Sequence, residues 1–306
     1  MELDTDRLKG LMSHQYDPGT AAPSPKHRHF EEFRRKEFEA GDLAERFHEN
    51  TKYTERSERS DGPTMSLFVR DDTMQFATAR ARHDYRGRER VDLPAPADLN
   101  ADLSEVLSRR RSLRRYGGDP ITRQELSTLL AYGCGVNGSL GPGDGSEPTR
   151  TTGRTYPSGG GLYPVENYLA ILDGGPELAE GLYYYVPDDH ALRILADRDV
   201  TGEIDDAFVP PAGMEPSDAA VCFLLTGAFW RSKAKYGPRG YRFVLQESGH
   251  LVQNLLLVGL ALGYGGVPLG AVREDRANDL LGVDGVDEAL VYSLFLGAPP
   301  RGGGDE

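Results

Sequence analysis

The chain has 306 residues, 38% of them hydrophobic, enough apolar material to bury roughly three quarters of the unfolded surface and to exclude disorder throughout. Its net charge of −13, from 48 acidic against 35 basic residues, excludes a general nucleic-acid-binding surface. Two cysteines, Cys134 and Cys222, exclude a disulfide framework and suit a reducing, cytoplasmic setting.

Met1 to Thr20 is polar and acidic, without the apolar stretch of a secretory signal. His27 to Phe47 has helical spacing, with Phe30, Phe33, Leu43 and Phe47 set among alternating charges. Met65 to Pro96 is rich in Arg and Asp with no sustained period, and Leu93-Pro-Ala-Pro96 closes it as a stiff linker. The expected division is therefore an N-terminal appendage over 1–96 and a main domain over 97–306. Residues 1–118 hold 22 basic and 22 acidic groups, whereas 119–306 hold 13 and 26. Only six basic residues are lysine, and an acid-rich, lysine-poor composition suits solubility in strong salt, as in a halophilic source.

Leu103 to Ser108 reads as a short amphipathic helix, and Thr122 with Glu125 makes a capping box before Leu126, Leu129, Leu130 and Tyr132, with Gly133 as the stop. Residues 135–156 read as a long loop. Tyr168 to Leu172 is a predicted strand, Leu182 to Leu195 a hairpin turning at Pro187-Asp-Asp189, and Ala219 to Thr226 a buried strand. Tyr241 to Leu262 reads as a long helix, with His250 as a core histidine, ending into a loop at Gly263, Gly265 and Gly266. The uncharged run from Leu255 to Val272 contains five glycines and Pro268, so it reads as protein interior rather than a membrane span. Leu290 to Leu296 is a last strand. Strands and helices mix without regular βαβ alternation, which argues for an α+β fold.

Three constellations could carry chemistry. Arg109-Arg-Arg-Ser-Leu-Arg-Arg115 gathers five guanidinium groups that repel one another unless an anion collects them, and arginine's fixed fork of donors suits phosphate. Read alone, the run also describes a basic helix end in solvent. Pro157-Ser-Gly-Gly-Gly161 lets backbone approach a flat or phosphorylated ligand because no Cβ stands in the way; read alone, it is also a loose turn. Lys235 beside Tyr236 offers two proton carriers, but each ordinarily titrates near pH 10 and needs burial or a charged neighbour to act at neutrality; a solvated loop before a helix is the plainer account. No metal-ligand spacing connects the histidines, apart from the isolated His27-Arg-His29.

In this order and spacing the motifs resemble the flavin-dependent nitroreductase superfamily, and within it the SagB-type azoline dehydrogenases, over residues 103–298. Arg110 to Tyr116 resembles the opening flavin motif, Pro157 to Pro164 with Glu166 and Tyr168 the second, and Gly265 to Gly270 the third. Lys235-Tyr236 with Arg239, Tyr241 and Arg242 indicates the branch, and Phe47 to Lys52 is similar to its segment before the core. The resemblance implies a nitroreductase-like central β-sheet flanked by helices, in a homodimer with FMN at the interface. It assigns Arg110, Arg111, Ser112 and Arg114 to the cofactor's phosphate, ribityl chain and O2 edge, with Pro157, Ser158, Gly159, Gly160 and Gly161 along it. Pro268, Leu269 and Gly270 form the third contact, the Gly270 N–H directed at flavin N5, while Arg301 stands alone where the superfamily often adds basic C-terminal residues. Lys235 is then the catalytic base or its electrostatic helper, and Tyr236 relays the proton or positions substrate. The implied reaction is oxidation of peptide azolines to thiazoles or oxazoles, with a peptide substrate and a cyclodehydratase complex as partners. An NAD(P)H-dependent nitro or quinone reductase, and a flavin-binding scaffold without turnover, are the other readings of the same motifs.

Overall fold

A computed structural model describes residues 43–140 and 151–301, apart from 72, 75–76, 79–82, 84 and 118. The polar N-terminus, Phe30, Phe33, the His27/His29 pair and residues 141–150 lie outside the described residues. Met1–Lys52 and Tyr53–Glu306 form separate units. In the first, helix α1 (Leu43–Asn50) is closed by Thr51 N–H donating to the Phe47 carbonyl at 3.1 Å.

The second unit contains α2 (Glu55–Arg70), β1 (Arg90–Asp92), α3 (Leu103–Arg109), α4 (Arg123–Cys134), β2 (Val136–Leu140), β3 (Thr151–Arg154), β4 (Val165–Ile171), β5 (Gly181–Val186) and β6 (Ala191–Ala196). There follow α5 (Thr201–Ala207), β7 (Val221–Ala228), α6 (Phe229–Tyr236), α7 (Gly240–Ala261), β8 (Gly265–Pro268), α8 (Glu274–Leu281) and β9 (Glu288–Gly297). Seven strands make one antiparallel sheet in the order β1-β6-β5-β4-β7-β9-β8.

Helices cover both faces, so β4 and β7 are buried at every position instead of alternating apolar and polar. On one face Leu169, Phe223 and Leu294 pack with Leu129 of α4 and Leu255 of α7. On the other, Tyr168, Leu224 and Phe295 pack with Ile204 of α5 and Ala277 of α8. This is the expected α+β arrangement, and the capping box at Thr122/Glu125 is present. Among the described residues no helix is long and apolar enough to cross a membrane.

Several local expectations are corrected. Gly133 does not stop α4, which runs to Cys134 with Gly135 as its cap; a Cβ at Gly133 would lie 2.4 Å from Leu255 Cδ2, so the glycine serves close helix packing. The loop expected over 135–156 contains the β2–β3 hairpin. Gly265 and Gly266 belong to strand β8, because their backbone pairs with Gly297 and Leu296. His250 is exposed among the described residues, on the outward face of α7. Residues 53–96 fold with the core rather than apart from it: β1 adds to the sheet beside β6, and the proline linker lies on α4, where Ser127 Oγ donates to the Pro94 carbonyl and Ala97 N–H to Thr128 Oγ1 at 3.0 Å.

Candidate functional site

Only the first two residues of the arginine motif belong to a helix end, Arg109 closing α3 and Arg110 capping it. After α3 the chain extends, Ser112 forms a parallel bridge to Gly266, and Leu113 N–H donates to the Gly266 carbonyl at 3.1 Å. Buried Tyr116 anchors the far end, its hydroxyl donating to the carbonyls of Leu113 at 3.0 Å and Phe295 at 3.3 Å. With Leu113 and Tyr116 directed inward, Arg111, Ser112, Arg114 and Arg115 are exposed and Arg110 is half-buried. Arg109 pairs with Glu105 at 3.0 Å, and Arg111 donates to two nearby carbonyls. Among the described residues no carboxylate pairs with Arg110, Arg111, Arg114 or Arg115. The third motif shares this sheet edge: Pro268 ends β8, buried Leu269 donates its N–H to Ser293 at 3.2 Å, and exposed Gly270 has an N–H that meets no acceptor among the described residues. Arginines, Ser112 and a free backbone donor therefore converge on one edge, as an anion-binding half-site requires.

The glycine motif and the Lys-Tyr pair make the other half. Glu247, buried on α7, accepts from Ser158 Oγ and from Val165 N–H at 3.2 Å, while Ser158 Oγ accepts the Tyr163 N–H at 2.9 Å. These bonds fix both ends of the loop that begins at Pro157. Gly159 rests on the Phe243 ring. Gly160 has φ 70° and ψ 14°, and a Cβ there would lie 2.6 Å from both Lys235 Nζ and Tyr236 Oη. Lys235 and Tyr236 sit on helix α6, not in a loop. Burial lowers the Lys235 pKa and raises that of Tyr236. The helix is locked from beneath by Arg231, which pairs with Glu166 and donates to the Tyr163 carbonyl at 3.0 Å, while Tyr184 Oη donates to the same Glu166. Sequence reasoning missed Arg231; its one signal was a lone arginine inside Ala228-Phe-Trp-Arg-Ser232.

Gly160→Ala should leave the protein folded, because strain at positive φ costs about 1–2 kcal/mol and the crowded atoms are ends of flexible side chains. Displacing Lys235 and Tyr236 should lower turnover at this site roughly 10–100-fold, beside a melting curve shifted by only a few degrees, about 2–4 °C per kcal/mol.

Beside Glu166 on the same sheet face, Glu288 accepts from Thr226 Oγ1 at 2.5 Å and Tyr168 Oη at 3.1 Å, and pairs with His83 Nε2 at 2.6 Å. Tyr85 Oη is 2.9 Å from Tyr168 Oη. The hydrogen bond to Glu288 raises the His83 pKa against the opposing effect of burial. Burial pushes the Glu288 carboxyl up, but the bonds from His83, Thr226 and Tyr168 outweigh it and hold the pKa below the usual range. His83 therefore adds stability that is full below the free imidazole value of about 6.5 and disappears as pH rises through its raised pKa. The expected result is a wild-type melting temperature that falls as pH rises above about 6.5 and a His83→Gln variant in which this component of the fall is absent.

A cavity of about 470 Å³ lies between α6, α7, α8 and β9. It is lined by Lys233, which stands roughly 200° around the helix from Lys235, so it opens on a different face of α6. Among the described residues no cluster of three or more His, Cys, Asp or Glu is placed to hold a metal.

The two halves do not merge within one chain. Gly266 stands beside Leu296, the neighbour of Val221, whereas Val165 stands beside Gly227, six residues further along β7. With about 4.8 Å between strands and about 3.4 Å per residue, the two motifs join the sheet on the order of 25 Å apart.

This sheet, with an arginine and glycine edge and a lysine-bearing glycine cradle, defines an oxidoreductase of the nitroreductase family. The chain belongs to that family, whose profile matches residues 107–298. A Methanocaldococcus jannaschii protein assigned to the nitroreductases is 32% identical over 192 residues, covering 62% of this chain and 89% of that protein. The microcin B17-processing protein McbC of Escherichia coli is 32% identical over 120 residues, covering 36% of this chain and 41% of McbC, so the match spans less than half of that relative. The crystal structure of an Anabaena variabilis protein assigned as a nitroreductase superposes with a TM-score of 0.58 at 27% identity, covering 71% of this chain and 43% of that one. The family is the one expected from the motifs.

The residues present fit FMN. Arg110, Arg111 and Arg114, which pair with no carboxylate among the described residues, would hold its phosphate, the exposed Gly270 N–H offers a donor for a ring nitrogen, and Gly160 leaves open a cradle that a Cβ would fill.

Proposed function

We propose that this protein is an FMN-dependent azoline dehydrogenase that converts thiazoline or oxazoline rings of a ribosomal peptide into aromatic azoles. The observation that carries the reading is the meeting of Lys235 Nζ and Tyr236 Oη on Gly160, which sets a proton acceptor against a glycine surface able to lie under a flat ring. FMN, when bound, supplies the acceptor for the hydride that leaves the azoline carbon. Lys235, whose ammonium form burial disfavours, takes the adjacent ring proton at Nζ. Tyr236, whose phenol stays protonated because burial raises its pKa, donates a hydrogen bond and orients the ring. Arg110, Arg111, Ser112 and Arg114 anchor the cofactor phosphate, and Pro268, Leu269 and Gly270 present the backbone to its ring. Because each chain holds its two half-sites apart, the working unit is a homodimer in which one copy's arginine edge meets its partner's Pro157–Gly161 loop. A cyclodehydratase that makes the azoline is the natural partner, in the cytoplasm where both cysteines stay reduced.

The test is purification of the full chain in high salt, an absorption spectrum for bound flavin, and mass spectrometry of a thiazoline peptide. Loss of two hydrogens from the peptide is the expected result. A flavin that is bleached by NAD(P)H and a peptide left unchanged would move the assignment to a nitro or quinone reductase.

A further inference from the structure

The family match begins at residue 107, yet a side chain from well before it reaches the lysine. Helix α2 packs on α6, and Phe68, buried to 1% exposure, places its ring centroid 5.4 Å from Lys235 Nζ. The Tyr236 ring lies 5.2 Å from the same nitrogen, and Gly160 closes the niche from the loop side. No carboxylate pairs with Lys235 among the described residues. Tyr236 is the titratable group beside it, and Arg239 on the adjoining turn is packed over the Phe243 ring at 5.7 Å.

We infer that Phe68 is a positioning residue for Lys235: its ring fills the side of the niche that water would otherwise occupy and holds the amine against Gly160. An aromatic face does two opposing things to an amine. It excludes water, which disfavours the ammonium, and its quadrupole attracts the cation, which favours it. For a partly buried lysine the loss of water is the larger effect, in keeping with burial as the cause of the lowered Lys235 pKa. The segment before residue 97 thus supplies a wall of the site, which gives it a role in the chemistry.

This inference rests on the proposed role of Lys235, but its test need not use turnover. The FMN-loaded full-length protein is exposed to acetic anhydride at graded pH, and acetylation of Lys235 is followed by peptide mass spectrometry, with Lys233 as the internal reference. Phe68→Ala admits water, so the labelling midpoint of Lys235 should move up and its labelling at neutral pH, relative to Lys233, should fall about 3-fold or more. Phe68→Leu keeps the niche dry and removes only the ring face, so its midpoint should stay or move slightly down. If Phe68→Ala does not fold, Phe68→Val, which keeps more of the buried volume while still opening the niche, takes its place beside Phe68→Leu in the same assay. An unchanged Lys235 midpoint in a folded, water-admitting variant, or a Leu variant that shifts upward like Ala, overturns the role of Phe68. A midpoint that shifts as expected in a protein making no azole leaves Phe68 in place and overturns the dehydrogenase reading instead.

Discussion

Lys235→Ala should lower azole formation by about 10²- to 10⁴-fold, the range that general-base catalysis supplies, with flavin content unchanged. Nothing in the arginine half-site depends on that side chain, which lies on α6 near the opposite end of β7. The sign with pH follows from the base form being the active one. Turnover should rise with pH through the Lys235 pKa, and because burial lowers that value the rise should come below the ordinary lysine range near 10.4. Lys235→Arg separates the two roles open to this residue, since a guanidinium keeps the charge but cannot shed its proton. Loss of turnover in both variants identifies a base, whereas retention in the arginine variant identifies an electrostatic helper. Full azole formation by the alanine variant, with flavin bound normally, removes Lys235 from the mechanism.

The largest stability effect is expected at Arg231. Arg231 is 1% exposed, and Glu166 opposite is 3% exposed. Burial works against the charge on Arg231, and Glu166 more than restores it, raising its pKa. Arg231→Met would leave the Glu166 carboxylate buried and uncompensated at a cost of about 3–5 kcal/mol. For a domain of this size that is a melting temperature lower by roughly 6–20 °C. Joining Arg231→Met to Glu166→Gln should recover most of the loss, because the penalty belongs to the stranded charge rather than to the missing attraction. A single variant that melts within a degree or two of wild type would show that water reaches the pair. The pair also ties α6 to the loop through the Tyr163 carbonyl, so the single variant should be slower at turnover even below its melting transition.

The elements readable from sequence were those whose signal is local. The Thr122/Glu125 capping box, the Leu182–Leu195 hairpin and the apolar strand near Ala219 each encode a periodicity or a cap within a few residues. His250 and Gly133 defeated the same reasoning because their meaning lies elsewhere in the chain. His250 is set in an apolar helix but is exposed among the described residues, and Gly133 reads as a stop although Leu255, far along the chain, lies against it. The second half of the site divides in the same way. Ser158 to Gly161 and Lys235-Tyr236 could be picked out by residue type, while Glu247, Arg231 and Phe68, which fix them, could not.

By itself the chain's order of residues determined which groups are available: arginines that need an anion, glycines without Cβ, a lysine next to a tyrosine, and a family to which they belong. Tertiary structure alone decided their company. It paired Ser112 with Gly266, closed Gly160 onto Lys235 and Tyr236, brought Phe68 from outside the family core, and kept the two half-sites apart. The physical reason is that composition and spacing report short-range preference, whereas burial, a displaced pKa and a buried ion pair arise from contacts between residues distant along the chain.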